Sequence, residues 1–138
     1  MYTYNYPMFS VVVDIIVQRG DRKILLIKRK AEPFKDYFAL PEGYVNIEEE
    51  IIDAAKRELV EETGIMAHRA ELDFIGVFSR PDRDPRGRVI SHAYCIRSRK
   101  MFSDAMAGDD AKEIGWYTID EAMKMNLAFD HSEILDCF

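Results

Sequence analysis

The 138-residue chain carries 25 acidic against 19 basic residues, a net charge of −6, which excludes the basic footprint of a general nucleic-acid binder and of a surface drawn to anionic lipid. Its length and 48% hydrophobic content, with eight Phe and seven Tyr, predict a single domain over residues 1–138 with a full core. Two cysteines, Cys95 and Cys137, are too few for a disulfide framework. MYTYNYPMF is no signal peptide, and no apolar run nears the ~20 residues of a membrane span, so a soluble, cytoplasmic protein is expected.

FSVVVDIIV (9–17) and KILLIKR (23–29) are rich in β-branched residues around the turn signal QRGDR, and together they predict a hairpin. AEPFKDYFALPEGYV follows as loop with at most one brief strand, since two prolines and a glycine punctuate it. Asn46 then reads as the cap of a helix, with Glu49 three residues on as in a capping box. Ile52, Ala55 and Leu59 recur at helical spacing, and Gly64 ends the helix. Residues 71–79 and 89–98 predict strands on either side of the charged loop RPDRDPRGR. EIGWYTI (113–119) predicts a last strand, DEAMKM a helical turn or two and HSEILDCF a terminal helix. Strands broken by one long central helix and a terminal one point to an α/β fold, a mixed sheet flanked by helices in an α/β/α sandwich.

In the central helix Glu58, Glu61 and Glu62 are spaced i, i+3 and i+4, so their carboxylates share one face. Such crowding is costly without a cation. The apolar stripe runs beside this face, which sets the glutamates at the core margin, and clustered carboxylate oxygens are hard ligands suited to Mg²⁺ or Mn²⁺.

From Gly43 the chain runs through Glu49, Arg57-Glu58-Leu59, Glu61-Glu62 and Gly64-Ile65. This spacing resembles the Nudix box at every fixed position, a coincidence on the order of once in a billion starts. The resemblance implies a Nudix hydrolase, with a loop-helix-loop catalytic motif on an α/β/α sandwich, cleaving nucleoside diphosphate derivatives with divalent metal. It transfers metal ligation to Glu58, Glu61 and Glu62, and the positioning of those glutamates to Glu49 and Arg57. A backbone carbonyl before the first box glycine, here that of Glu42, joins the ligand set. Many members have a second glycine at that position, and a left-handed backbone there would be costlier for Glu. Glu113, and less strongly Asp110, fall where several relatives carry a catalytic loop glutamate.

The loop between the later strands holds Arg80, Arg83, Arg86 and Arg88, and guanidinium forks match phosphate oxygens. Pro81 lies sixteen residues beyond Ile65, a spacing that marks ADP-ribose pyrophosphatases within the family. RDPRGRVIS and LAFDHSEIL are also similar to that group. The resemblance covers about Phe9 to Leu135 and implies a homodimer that splits ADP-ribose into AMP and ribose 5-phosphate. Phe78, Phe38 and the Tyr2, Tyr4 and Tyr6 trio are candidates to stack on adenine, whereas His131 is expected to cap or pack a helix rather than bind a ligand. Two alternatives stand beside this reading. One is a Nudix hydrolase acting on nucleoside triphosphates, dinucleotides or nucleotide sugars. The other is an ADP-ribose sensor, opposed by the intact box and by an end at Phe138 that leaves no length for a winged helix.

Overall fold

The computed structural model describes residues 4–108 and 111–138; Tyr2 and Asp110 lie outside them. Strand β1 (Ser10–Gln18) is the spine of a seven-stranded mixed sheet. It runs parallel to β6 (Val89–Arg97) along its whole length, from Ser10 opposite Val89 to Gln18 opposite Arg97. Its other side is shared between the start of β2 (Ile24–Arg29) and β4 (Glu42–Tyr44). Strands β3 (Phe38–Ala39) and β7 (Ala111–Tyr117) pair with β2, and β5 (Asp73–Phe78) forms the edge beyond β6.

Helices cover both faces of the sheet, and the alternation of β1 explains why. Val13, Ile15 and Val17 point to one core with Ala54, Ala55 and Leu59 of α1 (Ile51–Thr63). Ile16 points to the other, with Ala122 of α2 (Ile119–Met123) and Ile134 and Leu135 of α3 (His131–Asp136). A strand buried on both faces must be a nearly continuous apolar run. Asp14 is the exception, fully buried on the α3 side.

Three expected boundaries move. Helix α1 begins at Ile51, not at Asn46. The Asn46 amide does donate to Glu49 Oε1, at 2.8 Å, but the pair closes a turn ahead of the helix, and Glu50 is the N-cap. The predicted single strand between β2 and α1 is two, β3 and β4, each held by a neighbour distant in sequence. Strand β7 starts at Ala111 rather than 113, because β2 continues the pairing to Arg29. Gly64 ends α1 as expected, with φ of 74° and its amide donating to Val60 O, a conformation that favours glycine.

Candidate active site

Strand β4, the turn after it and one face of α1 wall a cleft of ≈ 390 Å³. Its lining includes Glu42, Gly43, Tyr44, Arg57, Glu58, Glu61 and Glu62, together with Arg29 and Arg86. All three helix glutamates reach this cleft. Glu58 and Glu62 are buried to 9% exposure, and Glu61, its side chain 56% exposed, faces solvent. The core-margin placement expected from the apolar stripe therefore holds for two of the three.

Arg57 organises the cluster. Its Nη1 donates to Glu58 Oε1 at 2.6 Å and to Glu61 Oε2 at 3.2 Å, so two carboxylates meet on one positive centre. Its Nε and Nη2 grip Glu49 at 3.1 and 2.7 Å, and Nη2 also reaches Tyr44 O at 2.8 Å. The guanidinium hydrogen bonds hold the Glu49 carboxyl below the usual range. Glu58 is pushed up by burial, against the pull of Arg57. Removing a partner that orients ligand side chains costs about 10- to 100-fold in metal affinity. Arg57→Lys is accordingly expected to raise the Mg²⁺ concentration for half-maximal activity by that factor, measured by titrating the ion at saturating substrate.

Gly43 serves close approach rather than a turn. A Cβ there would fall 1.9 Å from Glu58 Cδ, so with that carboxylate held where Arg57 sets it, strand and carboxylate share the space only at a glycine. Glu42 shows no left-handed backbone, which removes the strain considered for a non-glycine residue. Its amide lies 3.4 Å from Glu62 Oε2. Glu58 and Glu61 already meet on the Arg57 guanidinium, and with Glu62 and the β4 backbone on the same cleft they offer hard oxygens of the kind a divalent ion takes.

The Glu42 side chain turns inward, with Oε1 accepting from Arg29 Nη1 at 3.0 Å. Burial, reinforced by the nearby Asp14 charge, pushes its pKa to about 7 from the usual 4.5. The folded state then binds more protons than the unfolded state between those values, so this group makes stability fall as pH rises through that window. In metal-free protein the expected loss from pH 5 to pH 7 is on the order of 2 kcal/mol. Urea midpoints should show it for the wild type and not for Glu42→Gln.

Arg29 and Arg86 both lie over the Phe129 ring, at 5.0 and 5.2 Å, and Arg86 also lies over Tyr44 at 5.4 Å. Asp84 holds Arg86 through Nε and Nη2 at 3.0 and 2.7 Å. Of the loop arginines proposed for phosphate, Arg86 is therefore brought to the cleft. Arg83 is not. It is 3% exposed and donates through Nε and Nη2 to Asp130 at 2.9 and 2.7 Å, with Asp14 Oδ2 at 3.4 Å. This corrects the phosphate-binding expectation, because the fork is consumed by buried carboxylates. Arg80 is exposed and paired with Asp82 and Glu133, away from the cleft lining.

Glu113 also departs from expectation. On the strand predicted from 113 it stands opposite Lys28 of β2, exposed and outside the cleft lining rather than over it. Phe78 packs on the α3-side core and Phe38 meets Tyr117 edge-on at 5.8 Å, so neither lines the cleft. Tyr4 and Tyr6 are exposed. Arg29, Tyr44 and Phe129 were missed in the sequence. An arginine closing an apolar strand was the available signal for the first.

The NUDIX domain model matches residues 8–138. An ADP-ribose pyrophosphatase of Methanocaldococcus jannaschii is 46% identical over 132 residues, 96% of this chain and 73% of that protein. The ADPR responsive transcriptional repressor NtrR of Acinetobacter baylyi is 34% identical, over 96% of this chain and 53% of its own length. Among solved structures, a bifunctional NMN adenylyltransferase/ADP ribose pyrophosphatase of Francisella tularensis, complexed with AMP and Mn ion, superposes with a TM-score of 0.83 at 34% identity. That match covers 98% of this chain and 44% of the larger one. This chain thus spans about half of the repressor and less than half of the bifunctional protein.

Proposed function

Since the chain belongs to the Nudix hydrolase family, whose domain model covers residues 8–138, we propose that it hydrolyses the diphosphate of ADP-ribose to AMP and ribose 5-phosphate with a divalent metal. The observation that carries the substrate is the 46% identity to an ADP-ribose pyrophosphatase along 96% of the chain. Glu58, Glu61, Glu62 and the Glu42 carbonyl would hold Mg²⁺ or Mn²⁺. When bound, the ion supplies neutralisation of the diphosphate oxygens and a water of lowered pKa.

The chain's own residues do the rest. Arg57 orients Glu58 and Glu61, and Glu49 holds Arg57 in turn. Arg29 and Arg86 offer phosphate the positive charge first assigned to Arg83. Water attacks one phosphorus, the bridging P–O bond breaks, and the leaving phosphate keeps the electron pair. The water's proton passes to a carboxylate of the helix cluster. Glu61, the most exposed of the three, takes that role in place of Glu113. Tyr44, 43% exposed at the cleft, is the aromatic we assign to adenine stacking. We further propose a cytoplasmic homodimer. Phe74 and Val77, about half exposed on the edge strand β5, fit a surface covered in such an assembly.

The test is incubation with Mg²⁺ and a panel of ADP-ribose, NADH, dinucleoside polyphosphates and nucleoside triphosphates. AMP released chiefly from ADP-ribose supports the reading, and preference for triphosphates removes it. A second reading, an ADP-ribose sensor, draws on the 34% identity to the NtrR repressor. It predicts binding without turnover, unchanged in Glu61→Gln.

A further inference from the structure

On the α3 side of the sheet a buried polar cluster lies behind the cleft. Asp14, Glu42 and His131 bring ligand-type atoms within 4.8 Å of one another, an arrangement that invites a second metal. The hydrogen bonds argue otherwise. His131 Nδ1 accepts from the Leu40 amide at 3.0 Å, so its lone pair is committed and the ring proton resides on Nε2. Burial disfavours an imidazolium and the facing Asp14 carboxylate favours one, with the net push upward; the Leu40 amide nonetheless selects a ring bare at Nδ1, because a protonated Nδ1 would set two N–H groups against each other. Nε2 lies 2.9 Å from Asp14 Oδ1 and 3.8 Å from Glu42 Oε2. The pair with Asp14 is close without hydrogen-bond alignment, so the N–H points between two carboxylates. It is a donor and not a ligand.

We propose that His131 is a positioning residue, whose Nδ1 pins Leu40 and thereby seats Glu42 and Gly43 against the carboxylates of Glu62 and Glu58. The chain of contacts is short. Leu40 is two residues from Glu42, whose amide faces Glu62, and three from Gly43, which leaves no room for a Cβ beside Glu58. Residues ahead of α3 brace the same segment, since Phe38 donates to Asn126 O and Ala128 donates to Phe38 O. His131 is fully buried, so it cannot ligate an ion in the cleft itself, and the path its one accepted hydrogen bond offers to the metal is the backbone it holds. The role rests on the metal-dependent reading above.

The test measures Mn²⁺ binding by electron paramagnetic resonance of the free ion, without substrate. Asn at this position can place Oδ1 where Nδ1 stands, whereas Leu cannot accept a hydrogen bond and Gln sets its oxygen one carbon too far. His131→Leu is expected to weaken Mn²⁺ binding about tenfold with KM for ADP-ribose within twofold, and His131→Asn to restore most of the loss. Should the Leu variant fail to fold, His131→Asn against His131→Gln makes the same comparison. In wild-type protein, nitrogen NMR should find His131 protonated at Nε2 and bare at Nδ1. A proton on Nδ1, an Asn variant no better than Leu or Gln, or unchanged Mn²⁺ binding in the Leu variant overturns the proposal. If Mn²⁺ binds as expected but ADP-ribose survives, the assigned reaction fails and the positioning role stands.

Discussion

Glu62→Gln is expected to lower kcat for ADP-ribose by about a thousandfold while the protein stays folded, within the roughly 10²- to 10⁴-fold range of losing a charged catalytic group. Glutamine fills the same volume and can still accept from the Glu42 amide, 3.4 Å from Oε2. What disappears is one negative charge at a position only 9% exposed, where water compensates poorly for a missing ligand charge. KM for ADP-ribose should move little, because Arg29 and Arg86 remain. Steady-state kinetics over a Mg²⁺ series separate the two effects. A variant with wild-type kcat at every Mg²⁺ concentration would show that Glu62 ligates nothing during turnover.

The second large effect concerns stability. Arg83→Ala should cost about 3–5 kcal/mol, the usual result of removing one partner from a buried ion pair. Asp14 and Asp130 are 0% and 2% exposed, and without the guanidinium both charges are stranded. Burial works against ionisation of Asp14, and its polar contacts, Arg83 among them, hold its pKa below the usual range, so Arg83 carries part of that compensation. The control is Arg80→Ala, which removes only the exposed pairs with Asp82 and Glu133; its urea midpoint should match the wild type. A loss of ADP-ribose affinity in Arg83→Ala with unchanged stability would return Arg83 to the phosphate-binding role that its loop suggested.

The contrast between Arg83 and Arg86 shows where sequence reading stops. Both stand in one short loop amid alternating charges, and either could face a phosphate. Their fates are set by Asp130, 47 residues from Arg83, and by Asp84, two residues from Arg86. Only folding brings the first partner in. The glutamates of α1 were legible because helix geometry places i, i+3 and i+4 together wherever the helix lies, and their partner Arg57 sits on the same helix. Strands β1 and β2 were legible for a similar reason, since burial on both faces writes a nearly continuous apolar run into the chain. The start of α1 was misread because the Asn46–Glu49 hydrogen bond that marks a cap closes a separate turn here, while the other oxygen of Glu49 serves Arg57. Glu113 lies on a strand as expected, but nothing near it in sequence says that β2 lies alongside and sets it outside the cleft lining. The buried contact between Leu40 and His131 spans 91 residues and had no local signature.

The most direct measurement is a crystal structure of the protein with Mn²⁺ and a non-hydrolysable ADP-ribose analogue, with anomalous scattering used to locate the ion. Manganese is expected in the cleft, bound by carboxylate oxygens of Glu58, Glu61 and Glu62 and by the Glu42 carbonyl, and joined to the analogue's diphosphate. Manganese absent from the cleft beside a bound analogue would contradict that ligand set.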